Sequence, residues 1–142
     1  ARVRRAMLLM EQNLEAPLSA EALAAGAAVS KRQLERLFRR EFGASVQSFA
    51  RDLRLFHAVW LLARSPLRIT DVAMRCGFAD PAHFNRHFRA AFGAAPSAAR
   101  RRGAAALLVM LDRWWPHGGV PRPRTREPWP ARATDADRRP YR

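Results

Sequence analysis

Two stretches decide the fold: Ser30–Ala44, which reads SKRQLERLFRREFGA, and Asp80–Ala94, which reads DPAHFNRHFRAAFGA. A shift of 50 residues lays one on the other, pairing Leu34 with Phe84, Arg36 with Arg86, Phe38 with Phe88, Arg39 with Arg89, Phe42 with Phe92 and Gly43 with Gly93. Within each, apolar residues recur at three-and-four spacing, which gathers them on one face of an α-helix. Ser30 followed by Gln33 has the form of a capping box, and Asp80-Pro81 places an N-cap before a first-turn proline. Gly43 and Gly93 stand where a helix end needs a left-handed residue. The spacing therefore predicts helices over 31–42 and 81–92.

Upstream, a shift of 49 pairs Leu23 with Val72, Ala24 with Ala73, Ala28 with Gly77 and Val29 with Phe78. A short helix, a tight turn and a longer amphipathic helix thus occur twice, the helix-turn-helix arrangement. Small Ala24 and Ala73 let the paired helices touch. Gly77 suits the turn, whereas a left-handed Ala28 costs about 1 kcal/mol, so a distorted first turn is expected. On the first long helix Leu34, Leu37, Phe38 and Phe42 face inward, leaving Lys31, Arg32, Glu35, Arg36, Arg39 and Arg40 outward. On the second, Phe84, Phe88, Ala91 and Phe92 face inward, leaving Ala82, Asn85, Arg86 and Arg89 outward. An arginine can donate two hydrogen bonds to guanine, and an asparagine can read adenine. One basic helix alone reads as a solvated face. Arginine kept at the same helical position after the same kind of turn, twice, argues for reading DNA.

The rest of the chain fits around this pair. Helical patterning continues through residue 102, with further helices expected at about 2–15, 20–27, 46–64, 69–76 and 96–102, and no long period-two alternation. The fold class is all-α: two helix-turn-helix subdomains, about 19–43 and 69–93, joined by a long linker helix, about 46–64. Val46–Ala63 spans about 27 Å at 1.5 Å per residue, against about 34 Å between successive major-groove faces, so one rigid helix could hold two readers near adjacent grooves. Residues 1–102 form the expected domain, with 18 basic and 8 acidic residues. Residues 103–142, carrying 6 of the 10 prolines, read as a Pro/Arg-rich tail, mostly disordered. Its ordered candidate is Ala104–Trp115, an apolar run able to fray as a helix or dock on the body.

A formal charge of +14 over 142 residues points to a polyanion partner. Of 26 basic residues only Lys31 is a lysine, so the arginine count informs less than its placement. The single Cys76 excludes a disulfide framework. No apolar run reaches the roughly 18 residues of a membrane span, and Glu11 and Gln12 stand where a signal peptide would be cleaved, so a cytoplasmic, nucleoid-associated protein is expected.

The run from Leu18 to Arg100 carries Ser30-x-x-x-Leu34-x-x-x-Phe38, Leu53-Arg54-Leu55, Ala58, Leu61-Leu62, Ile69 through Gly77-Phe78, His83-Phe84, Phe88 and Phe92-Gly93. In these residues the chain resembles the DNA-binding domain of AraC/XylS-family transcription regulators. The resemblance implies double-stranded DNA as partner and base-reading positions at Arg32, Glu35 and Arg36, then at Pro81, Ala82, Asn85 and Arg86. Pro81 and Ala82 lack side-chain donors, which leaves the second reader to Asn85, Arg86 and methyl contacts. Ser30, Lys31, Arg39, Arg40, His83 and Arg89 flank these positions as candidate phosphate contacts. Within the family, Arg32–Phe38 looks most like regulators whose sensor domain is related to class I glutamine amidotransferases; that domain is absent here. The chain departs from the family pattern at Ala28, Arg68 and Ala95–Arg100, the last lacking the usual aromatic before arginine.

Other signals point less far. His83 and His87, four apart, could share a metal but lack a convincing third ligand, and no cofactor is expected. Cys76 reads as a small buried residue in preference to a redox switch. No nucleophile–base–acid set is visible, so an enzyme is not expected. On the linker helix Phe56, Val59 and Trp60 form a second apolar stripe. Either Leu107, Leu108, Trp114 or Trp115 covers it, or it meets a sensor domain, a second protomer or RNA polymerase. Two other functions compete with sequence-specific regulation: non-specific architectural DNA binding, and a helical module whose charge serves a protein partner.

Overall fold

The computed structural model describes residues 1–117 and is helical throughout, with no strand among the described residues. Its elements are α1 (Arg2–Gln12), α2 (Ala20–Gly26), α3 (Lys31–Phe42), α4 (Val46–Arg64), α5 (Ile69–Arg75), α6 (Pro81–Phe92), α7 (Pro96–Arg101) and α8 (Ala104–Trp114). The expected ends of α3, α4 and α6 are matched to the residue. The first helix stops earlier than expected: at Asn13 the backbone N–H donates to the Met10 carbonyl at 3.3 Å, and the side-chain Nδ2 takes the Leu9 carbonyl at 2.8 Å in place of the next helical bond.

The architecture is a repeat built on one central helix. At a shift of 52, Arg2 falls on Arg54, Ala6 on Ala58 and Met10 on Leu62, so α1–α2–α3 and α4–α5–α6 are two copies of a three-helix unit. Ala6 and Ala58 are both completely buried, where a larger side chain would separate the helices. Nine residues of α4 are buried, Val46, Phe49, Leu53, Leu55, Phe56, Ala58, Val59, Leu61 and Leu62, and they occupy most of its circumference, as a helix packed on several sides requires. It touches α1 and α3 of the first unit, α5 of the second, and α7 and α8. Phe49 seals the first unit, with ring centroids 5.1 Å from Phe38 and 4.6 Å from Phe42.

The repeat continues into α7 and then loses its aromatic. Val46 and Pro96 are equivalent and buried, but Ala99 stands where the first copy has Phe49. The space is filled from α8: Trp114 lies 4.6 Å from Phe92, the separation of Phe42 from Phe49. Arg100 pins α7 to the end of α4, donating to the carbonyls of Leu62 at 3.2 Å, Ser65 at 3.0 Å and Leu67. A guanidinium satisfies carbonyls that the last helical turn leaves unpaired.

The expected domain limit at Arg102 therefore does not end the packed body. Leu107, Leu111 and Trp115 of the α8 segment are buried, and Trp115 lies 5.5 Å from Phe56 and 5.9 Å from Phe49. His117, 4% exposed, holds the segment down through a 2.8 Å contact of its Nε2 with the Asp52 carboxylate. The chain itself covers Phe56 and Val59, while Trp60 is half-buried with the Arg64 guanidinium 5.0 Å from its ring. The part of the expected disordered tail beyond His117 lies outside the described residues.

Candidate nucleic-acid interface

Both units turn in the same way. After α2, the Val29 amide donates to the Ala24 carbonyl at 3.0 Å and the Ala28 amide to that of Ala25 at 3.1 Å. After α5, Phe78 donates to Ala73 at 3.0 Å and Gly77 to Met74 at 3.1 Å. These paired bonds need a left-handed residue between them, and Ala28 at φ 57° and Gly77 at φ 79° supply it. The expected distortion at Ala28 does not occur: the residue carries the strain and the geometry is kept. Ala28 is exposed, whereas a Cβ on Gly77 would meet the Leu14 carbonyl oxygen at 2.2 Å, so only the first turn tolerates a side chain.

Guanidinium groups from the helix behind each unit hold these turns. Arg2 of α1 donates to the Ala28 carbonyl and Arg5 to that of Gly26 at 2.8 Å. Arg54 of α4 donates to the Gly77 carbonyl at 3.2 Å and lies 5.1 Å from the centroid of the Phe78 ring. Burial, and secondarily the positive charge of Arg51, lowers the pKa of Arg54. The motifs of the sequence give these arginines no role; a shift of 52 pairs Arg2 with Arg54, whereas Arg5 falls on His57 and is marked by nothing in the repeat.

The long helices are firmly capped. Ser30 Oγ accepts from the Gln33 amide at 3.1 Å and Gln33 Oε1 from the Ser30 amide at 2.9 Å, completing the capping box. Asp80 accepts from the His83 amide at 2.7 Å. Leu34, Phe38, Phe84 and Phe88 are completely buried. The opposite faces present Arg32, Arg36, Arg39 and Arg40 on α3, and Pro81, Ala82, Asn85, Arg86 and Arg89 on α6, all exposed. Arg36 and Arg86 are thus equivalent in sequence, in helix position and in exposure. No carboxylate lies on α6, so its outward charge is wholly positive.

Other candidates stand differently. The Glu35 carboxylate is half-buried and accepts from the Val46 amide at 3.2 Å, capping the first turn of α4. That bond occupies one carboxylate oxygen of a residue expected to read bases. Lys31 is exposed but paired with Glu21 at 3.0 Å. The Ser30 hydroxyl is occupied as a cap acceptor and keeps its proton to donate. His83, expected at a phosphate, is half-buried against Phe78, with its Nδ1 enclosed and its Nε2 3.0 Å from His87 Nε2. Burial, then the charges of Arg51, His83, Arg54 and Arg86, lowers the pKa of His87, which favours its neutral ring. Among the described residues no group of three metal-ligating side chains assembles around this pair. Cys76 is 1% exposed and burial raises its thiol to about 12, against the weaker opposing pull of Arg54 and Arg75. A thiol so held is not a reactive thiolate. No helix of the described residues is long and apolar enough to cross a membrane.

Two helix-turn-helix units on one shared helix, each presenting an exposed arginine midway along its second helix, define the class: the DNA-binding domain of a two-unit helix-turn-helix regulator. A family profile described as a helix-turn-helix domain matches residues 23–102. The HTH-type transcriptional regulator GlxA of Rhizobium meliloti is 43% identical over 96 residues, covering 68% of this chain and 30% of that protein. An AraC-type transcriptional regulator structure from Chromobacterium violaceum superposes with a TM-score of 0.69 at 36% identity, covering 71% of this chain and 90% of that one. The DNA-binding domain of AdpA, solved in complex with a target DNA, gives 0.67 at 31% identity, covering 71% and 91%. The chain belongs to the AraC family of transcription regulators, and these helices form its DNA-binding domain. It spans 26–32% of the length of the curated relatives GlxA, ArgR, CdhR and GbdR.

Proposed function

We propose that this domain binds double-stranded DNA with sequence preference, α3 and α6 reading neighbouring major-groove segments of one asymmetric site. The observation that carries the reading is the equivalence of Arg36 and Arg86, both exposed on capped helices whose opposite faces are buried. Arg32 and Asn85 complete the polar reading set, with Ala82 offering a methyl contact. Arg39, Arg40, Arg89, Lys31 and the Ser30 hydroxyl would serve the phosphates. Glu35 and His83 act from behind, by steadying α4 and by packing the second unit. In a longer protein of the relatives' size, ligand sensing and contacts with RNA polymerase or a second protomer would involve parts outside this chain.

Selection of bound sites from a random duplex library tests the reading. A recurring site with two separable halves is expected, bound at least about a thousandfold more tightly than random DNA. Arg36→Ala and Arg86→Ala should each cost about 1–3 kcal/mol in binding and relax preference in different halves. Equal loss on every sequence would mean backbone contacts alone, the architectural alternative. Failure to bind any duplex would favour the protein-interaction alternative.

A further inference from the structure

The arginines behind the two turns occupy one place in the repeat. Arg2 and Arg54 coincide at the shift of 52 that superposes α1 on α4, and their acceptors, Ala28 and Gly77, coincide at the shift of 49 that superposes the turns. The helix behind each unit therefore sends a guanidinium, from the first residue of α1 and from the middle of α4, to the carbonyl of the left-handed residue that joins the unit's two other helices. In the first copy Arg5 adds a bond to the Gly26 carbonyl; in the second Arg54 stacks on Phe78.

We propose that Arg2 with Arg5, and Arg54, are positioning residues for DNA reading: each clamp fixes the angle at which its recognition helix leaves its turn, and so sets the preference of its own half of the site. The left-handed residue is where a small backbone rotation swings the whole following helix. A charged donor on its carbonyl resists that rotation without touching DNA. The first clamp has more to hold, since Ala28 is strained where Gly77 is not. The second is half-buried and has the ring beneath it, so its geometry is the stiffer. This inference rests on the two-reader proposal.

The test uses the full 142-residue chain, with thermal melting, a site-selection profile and amide exchange for each variant. Arg54→Ala should relax the half of the site that Arg86→Ala relaxes, and the double variant Arg2→Ala/Arg5→Ala the half that Arg36→Ala relaxes. Affinity for the selected site should fall about tenfold in each, equivalent to about 1.4 kcal/mol. Exchange should quicken at the Val29 amide in the first case of Arg2 and Arg5 loss, and at the Phe78 amide in the case of Arg54 loss. Relieving the strain with Ala28→Gly should shrink the cost of losing Arg2 and leave the cost of losing Arg54 unchanged. Equal weakening of both halves, or unchanged profiles, would overturn the clamps. If Arg54→Ala does not fold, Arg54→Lys keeps the charge without the planar fork and should relax the same half more mildly. If wild type selects no site, the two-reader proposal fails. The clamps then stand or fall on amide exchange alone, overturned if each substitution loosens both turns alike.

Discussion

At the scale of single residues, His57 carries the clearest consequence. It lies on α4 with its Nε2 enclosed and without a hydrogen-bond partner, and burial lowers its pKa from 6.5 to about 4. The unfolded chain therefore takes up a proton near pH 6.5 while the folded one resists until about pH 4. Stability from this group is fully present above pH 6.5 and is lost as the pH falls through that window. A shift of this size, at 1.36 kcal/mol per unit, amounts to about 3 kcal/mol. His87 is lowered in the same direction, and Glu11, raised by burial, acts in the opposite one. Melting followed between pH 7.5 and 4 should show the loss, and His57→Leu should flatten most of it; an unchanged slope in the variant would assign the acid sensitivity elsewhere.

At the scale of elements, α8 separates what the sequence makes legible from what it hides. The long helices α3 and α6 announce both ends through Ser30–Gln33, Asp80–Pro81 and the two left-handed glycines, and their exposed and buried faces follow from period alone. The helix α8 has no side-chain cap and follows Gly103, its N-cap residue, at φ 97°. The missing aromatic before Arg100 is legible in the sequence, but nothing local says that Trp114 takes its place against Phe92. Glu35 shows a related limit: helical arithmetic puts it outward, but the amide of Val46, eleven residues on, donates to its carboxylate. His83, a phosphate candidate, lies by spacing at the edge of the buried face beside Phe84, and its ring packs near Phe78. Truncation after Arg102 should accordingly strip the cover from Phe49, Phe56 and Phe92 and lower the melting temperature sharply. Trp115→Ala alone should cost about 3–5 kcal/mol, the usual range for a buried aromatic. A truncated chain that melts as the whole one does would show that α8 contributes no stability.

At the scale of the whole molecule, two groups of arginines among the described residues have different work. Arg54 and Arg100 are half-buried and bonded to backbone carbonyls, and Arg2 and Arg5 are engaged at the first turn. Arg32, Arg36, Arg39 and Arg40 on α3, with Arg86 and Arg89 on α6, remain exposed on the two outward faces. If those faces meet DNA, the phosphate contacts number about six to ten, and affinity should fall by about 10³–10⁵ between 50 and 200 mM salt. The division makes the two populations distinguishable. Arg89→Ala, removing one phosphate contact, should reduce the slope of log affinity against log salt by about 0.9 and weaken all sequences alike, with melting unchanged. Arg100→Ala should leave that slope intact and instead destabilise the fold, because the carbonyls of Leu62, Ser65 and Leu67 lose a shared donor. A salt response that is nearly flat in wild type, or that Arg100→Ala alters as much as Arg89→Ala does, would remove the division between arginines that build the domain and arginines that meet its partner.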